Sequence, residues 1–88
     1  MSRYTITLED NVIDNDIPRL SKALRQRIKK AVRERLTEYP EMVGKPLRHN
    51  WKGHFSLRVG DYRVIYRIDG KNMIVHIVAI QHRSYVYE

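Results

Sequence analysis

Residues 55–66, FSLRVGDYRVIY, constrain the fold more tightly than any other stretch of this chain. Apolar and polar positions alternate there, which puts Phe55, Leu57, Val59, Tyr62, Val64 and Tyr66 on one face of an antiparallel pair. Gly60 and Asp61 supply a two-residue turn, with glycine free to take positive φ at the first central position. That register sets Arg58 directly opposite Arg63 on the other face. Like charges so placed cost up to ~1 kcal/mol. An anion over the pair relieves the repulsion, and phosphate matches the planar donor fork of arginine.

The remaining elements follow from periodicity and punctuation. Residues 4–8 alternate and are rich in β-formers, so they read as a first strand. Four acids follow, Glu9, Asp10, Asp14 and Asp16, in a short helix or turn ahead of Pro18, which fits the first turn of a helix. Residues 21–38 read as a longer helix. Leu20, Leu24, Ile28, Ala31, Val32, Leu36 and Tyr39 recur at three- and four-residue spacing, Ser21 is placed to cap it and Pro40 to stop it. Residues 41–53 read as loop, interrupted by Gly44, Pro46, Asn50 and Gly53. Residues 69–72 form a second turn, and residues 73–80 are apolar on both faces, as an interior strand would be. His76 within that strand reads as a hydrogen-bonded sheet histidine. The expected fold is a single α+β domain over residues 1–88, ordered β-α-α-β-β-β, with helices on one face of an antiparallel sheet. Arg58, Arg63 and Arg67 fall on the other, partly open face.

The charge balance points to an anionic partner. Seventeen Lys and Arg against ten Asp and Glu give the 88 residues a formal net charge of +7. Nucleic acid and an acidic protein both fit such a surface. Between Arg19 and Arg35 the basic residues are Arg19, Lys22, Arg25, Arg27, Lys29, Lys30, Arg33 and Arg35, with Glu34 the one acid among them. A solvated helix face and a docking surface remain equally open there. The chain has no cysteine, which fits a reducing cytosol, and no apolar run of membrane-spanning length. A soluble, cytoplasmic protein without membrane association is expected.

Two further clusters carry chemistry. Lys45, Arg48, His49, Lys52 and His54 surround Trp51, a composition able to neutralise phosphates while a base stacks on the ring. The competing role for Trp51 is to pin the loop to the core together with Leu47, and a lone tryptophan in a small domain favours pinning. At the other end, His82, Arg83, Tyr85 and Tyr87 lie within six residues. Histidine exchanges a proton near neutral pH, tyrosine donates one or stacks, and arginine stabilises charge growing on a phosphate.

Residues 44–47 (GKPL), residues 57–66 (LRVGDYRVIY) and the ending IQHR with Val86 and Tyr87 resemble the RelE branch of the RelE/ParE toxins of type II toxin–antitoxin systems. The resemblance spans nearly the whole chain, and the hairpin is its most specific part. It implies a small toxin that enters the ribosomal decoding site and cuts messenger RNA. The ribose 2′-hydroxyl would attack the adjacent phosphate, leaving a cyclic phosphate and a 5′-hydroxyl, without metal or other cofactor. By that resemblance Arg58, Arg63 and Arg83 hold the scissile phosphate, Tyr87 stacks on or positions the base, and His82 acts as acid or base. Lys45, Arg48, Lys52, His54, Arg67 and Tyr85 would contact the RNA, with Tyr85 able to share the role of Tyr87. Ser56 departs from the pattern, because relatives place a basic residue near that point; His54 or Lys52 would have to compensate.

The resemblance also implies a cognate RelB-like antitoxin, acidic or amphipathic, that wraps the toxin and joins it on operator DNA, which the toxin reaches only through that complex. Two other functions stay open. A ParE-like toxin would inhibit DNA gyrase as a protein ligand, without nuclease chemistry. A noncatalytic RNA-binding module or decayed toxin would bind RNA in a salt-sensitive way and leave it intact.

Overall fold

The computed structural model describes residues 3–85. Five strands form one mixed sheet: β1 (Thr5–Leu8), β2 (Lys45–Pro46), β3 (Phe55–Val59), β4 (Tyr62–Asp69) and β5 (Ile74–His82), in the order β1-β5-β4-β3-β2. Helix α1 (Lys22–Arg35) crosses one face, and a single-turn helix α2 (Pro40–Val43) follows it. The central hairpin has the expected register, with Arg58 opposite Arg63 and Phe55 opposite Tyr66. Gly60 takes φ 61° at the first turn position.

Helix α1 begins where a cap is available and ends where the chain must change direction. The Ser21 hydroxyl accepts from the Leu24 N–H at 3.1 Å, satisfying one of the orphan donors of the first turn. The helix closes at Arg35, three residues short of the expected end, and residues 36–38 form a turn. Pro40 then occupies the first turn of α2, where its missing N–H costs nothing, so it starts a helix as well as stopping one. The α1 stripe buries Ile28 and Val32, with Leu36 beyond it, against Leu57, Val59, Val64, Tyr66, Val75, Ile77 and Ile80.

The edges differ from a purely antiparallel reading. β1 lies parallel to β5, from Thr5 against Ile74 to Leu8 against Ile77. Beyond Leu8 the β5 edge is satisfied by a side chain: Ile80 N–H donates to Asp16 Oδ2 at 2.9 Å. One of the four early acids thus completes the ladder. At the opposite edge the two-residue β2 pairs Lys45 with Ser56 and Pro46 with Phe55, inside what the sequence presents as loop.

The second sheet face is only partly open. Leu47 and Trp51 lie over Ile65, Val78 and Ala79 as a small second core, so the loop is pinned as its lone tryptophan predicted. A bulge makes this possible: Ile65 pairs with Ala79 and Tyr66 with Ile77, which leaves Val78 without a cross-strand partner. His76 is hydrogen-bonded at both ring nitrogens, to Thr7 Oγ1 and to Glu9 Oε1. Among the described residues no helix is long and apolar enough to cross a membrane.

Candidate functional site

The hairpin turn is the meeting point of the cations. Arg58 and Arg63 face one another across β3 and β4, and Arg58 Nε–H donates to the Gly60 carbonyl at 3.2 Å, which holds its guanidinium at the turn. The chain after β5 returns to the same place. Arg83 N–H donates to the Asp61 carbonyl at 2.8 Å, and its guanidinium Nε lies 3.9 Å from the Asp61 carboxylate. Both side chains of that ion pair are well exposed, so the backbone bond is the firmer tether. Arg58 and Arg63 of the hairpin and Arg83 from beyond β5 therefore share one turn.

Beside the turn is an open groove of about 710 Å³ lined by Arg35, Lys45, Ser56, Arg58, Arg63 and Asp61, with Val43, Leu57 and Gly60. It lies along the edge of β3, where β2 pairs only with Phe55 and Ser56 and leaves Leu57–Val59 without a strand on that side. Four cations from α1, β2, β3 and β4 converge on it against one acid. Ser56 is 3% exposed, and its hydroxyl is the one buried side-chain polar atom among the described residues with no hydrogen-bond partner.

The other candidates are distributed around this groove or away from it. His82 pairs with Tyr62, one position from the Arg63–Gln81 pair, and therefore belongs to the opposite sheet face from Arg63. Its ring meets Tyr62 edge-on at 5.3 Å, and its Nδ1 lies 3.0 Å from Ser84 Oγ and accepts from the Ser84 N–H at 3.3 Å. Arg67 pairs with His76, and the buried Ile65 separates it from Arg63 along β4. Arg48 and Lys52 flank the turn His49–Trp51, and His54 packs edge-on against Trp51 at 5.3 Å. Lys45 alone of the loop cations lines the groove. Tyr85 ends the last described turn, Arg83–Tyr85, and Tyr87 lies outside the described residues.

Two contributors were not singled out by sequence. Arg35 reaches the groove from the last turn of α1. Arg27 lies against the hairpin turn, its guanidinium 3.0 Å from where a side-chain Cβ at Gly60 would sit. Both belong to the dense helical run of cations, in which no spacing marks two members as different from the rest. Ser56 was visible only as a departure from a pattern.

A second groove, of about 560 Å³, lies between α1 and the β1 edge. Ile6, Leu8, Ile17, Leu20, Ile28 and Val32 are among its apolar lining, and Arg25, Lys29 and Arg33 also border it.

Fold and grooves together define a small basic α+β domain whose sheet presents a cation-lined recess at a hairpin turn and an apolar recess at the far edge. The chain belongs to the family described as the ParE toxin of type II toxin–antitoxin systems, whose model matches residues 7–87. It is similar to the toxin RelG of Mycobacterium tuberculosis, 46% identical over 52 residues, which is 59% of this chain and 60% of that protein. The same identity over 52 residues relates it to the toxin RelE of that organism, covering 54% of the latter. The matched segment thus spans about three fifths or less of these curated relatives.

Among solved structures, a chain of the RelBE2 toxin–antitoxin complex of M. tuberculosis superposes with a TM-score of 0.84 at 33% identity, covering 92% of this chain and 99% of that one. The isolated E. coli RelE toxin gives a TM-score of 0.74 at 18% identity, covering 90% and 83%, and so shares the fold.

Proposed function

We propose that this chain is a RelE-type toxin that cleaves messenger RNA on the ribosome. The observation that carries the reading is the gathering of Arg58, Arg63 and Arg83 at one hairpin turn, two by strand register and the third by its backbone bond to Asp61. Such a set suits a reaction in which negative charge builds on a phosphate. The 2′-oxygen forms a bond to phosphorus as it loses its proton; the bond from phosphorus to the 5′-oxygen breaks, and that oxygen takes up a proton. The products are a 2′,3′-cyclic phosphate and a 5′-hydroxyl. RNA is required because DNA has no 2′-hydroxyl.

In this scheme the arginines hold the phosphate and stabilise the charge on its oxygens in the transition state. Tyr87 stacks on or orients the base. His82, on the opposite sheet face from Arg63, acts as acid or base with a smaller contribution than those of the arginines. Lys45 guides the RNA backbone within the groove, and Arg48, Lys52, His54, Arg67 and Tyr85 guide the flanking nucleotides.

The proposed partners are the ribosome with its messenger, in the cytoplasm, and a RelB-like antitoxin that carries the toxin to operator DNA. The apolar recess with Arg25, Lys29 and Arg33 beside it suits an amphipathic acidic segment of that antitoxin.

Mapping messenger 5′ ends after brief induction tests the reading. New in-frame ends on translated messages, lost in Arg63→Ala, are expected. Growth arrest without new ends would overturn the reading in favour of a gyrase ligand, and neither arrest nor ends would favour a purely binding domain.

A further inference from the structure

We infer that Ser56, Arg35 and Lys45 form a second phosphate subsite in the cation-lined groove, which takes the phosphodiester next to the one held by Arg58 and Arg63. The inference rests on the proposed reading of the groove as an RNA site and adds to it a place for a further backbone contact.

The central observation is the Ser56 hydroxyl. It is enclosed and has no hydrogen-bond partner in the protein, and its residue lines the groove. A buried hydroxyl left this way is costly, and buried polar groups are nearly always satisfied, so its presence asks for a ligand that completes it. The surroundings select the ligand's charge. Lys45 is the cross-strand partner of Ser56, and Arg35 enters from the end of α1, so cations from two other elements line the groove together with Ser56. A hydroxyl donor beside two cations suits a phosphate oxygen.

The elements also separate the two subsites. Arg58 and Arg63 sit at the turn end of the hairpin, whereas Ser56 lies two residues further down β3, next to Phe55, where β2 begins. Two residues along a strand advance roughly 6.6 Å. An extended RNA backbone laid along this edge therefore presents successive phosphates to Arg58 and Arg63 and then to Ser56, Lys45 and Arg35. On this account the serine that departs from the basic pattern of relatives is a neutral donor, with the positive charge supplied from Arg35 and Lys45.

The test compares oligonucleotides with one and two phosphodiesters. 2′-O-Methylated dinucleotide and trinucleotide, which cannot be cleaved through the 2′-oxygen, are titrated into the full chain at matched ionic strength and followed by backbone amide shifts. The trinucleotide should bind about tenfold more tightly in the wild type, the value of one hydrogen bond to a charged group. That gain should vanish in Ser56→Ala and in Arg35→Gln while dinucleotide affinity stays unchanged.

Thermal unfolding of free Ser56→Ala separates a ligand-binding role from a structural one. The melting temperature should hold or rise, because the lost hydroxyl has no protein partner; a fall would overturn the assignment. Equal affinities for the two oligonucleotides, a gain that persists in both variants, or binding of neither would overturn it also. New messenger 5′ ends without the trinucleotide gain would sink this subsite and keep the nuclease, whereas the gain without new ends would keep the subsite and sink the nuclease.

Discussion

His76 Nε2 lies 2.9 Å from Glu9 Oε1 while its Nδ1 meets Thr7 Oγ1, so one imidazole on β5 fastens both the middle and the exit of the parallel edge strand β1. Thr7 and His76 are register partners, which makes the contact a direct cross-strand pair. β1 has only four residues, and a short parallel edge gains little from its ladder alone. Replacing His76 by alanine should cost about 1–2 kcal/mol, a fall of roughly 4–16 °C in Tm for a domain of this size. Thermal denaturation followed by circular dichroism measures it. An unchanged Tm would show that the clamp contributes nothing.

A fully buried bond ties the sheet to the start of α2. The Tyr66 hydroxyl donates to the Pro40 carbonyl at 2.6 Å, with its side chain fully enclosed and its ring stacked on Phe55. Burial, with the Glu41 carboxylate nearby, pushes its ionisation up to about 12. The folded state therefore keeps a proton that the unfolded chain releases from about pH 10. The sign follows: this contribution is complete below pH 10 and is lost as pH rises towards 12, by about 2–3 kcal/mol in all. Chemical denaturation at intervals from pH 8 to 12 should show that decline, and Tyr66→Phe should flatten it. The Phe variant should also be about 1 kcal/mol less stable at neutral pH, because the Pro40 carbonyl loses its donor.

Gly44 is required by this same tyrosine. Its own φ of −96° is ordinary, but a Cβ there would collide with the Tyr66 hydroxyl and ring. Gly44→Ala should destabilise by about 1–3 kcal/mol, as overpacking of a close-packed site does. In the Tyr66→Phe background, which removes the nearest atom, the penalty should shrink; equal penalties in both backgrounds would place the strain elsewhere.

These contacts show where the sequence speaks clearly. Strict alternation around Gly60 fixes the β3–β4 register, so Arg58 opposite Arg63 was legible in the residues alone. β5 was legible as interior because it is apolar on both sides, and Trp51 over Val78 and Ala79 supplies the reason. The two-residue β2 was not, since Lys45 and Pro46 carry no alternation of their own and pair only because Phe55 and Ser56 offer an edge. The bulge at Val78 was hidden likewise, for a run of apolar residues does not reveal a change of face. At the site, Arg35 gained its place from the point where α1 ends, and Ser56 its burial from β2. Both are consequences of packing rather than of local pattern.

The arginine cluster should govern activity without governing antitoxin capture. Arg63→Ala and Arg83→Ala should each lower messenger cleavage by at least about 100-fold, the usual consequence of losing a group that meets transition-state charge. Arg63 lines the cation-rich groove, Arg83 lies beside Asp61 at the hairpin turn, and neither lines the apolar recess, so antitoxin affinity should change less than about threefold. Growth assays at matched expression, with calorimetric titration of the antitoxin, check the two halves. Full toxicity in both variants would remove these residues from the active site.

The apolar recess makes the reverse prediction. Leu8 ends β1 at 38% exposure and lines that recess beside Ile6 and Ile77. In the free protein a glutamate at position 8 keeps its carboxylate in water, so Leu8→Glu should fold with little loss of stability. An amphipathic antitoxin segment seated there would cover the carboxylate with apolar side chains, and an uncompensated buried charge is expensive. Antitoxin affinity should fall by at least about tenfold, while ribosomal cleavage by the free toxin stays near the wild-type rate. Raising salt should weaken the wild-type complex as well, since Arg25, Lys29 and Arg33 border the recess and attract an acidic partner. Antitoxin that bound Leu8→Glu as tightly as the wild type, with the same salt dependence, would exclude this recess as its seat.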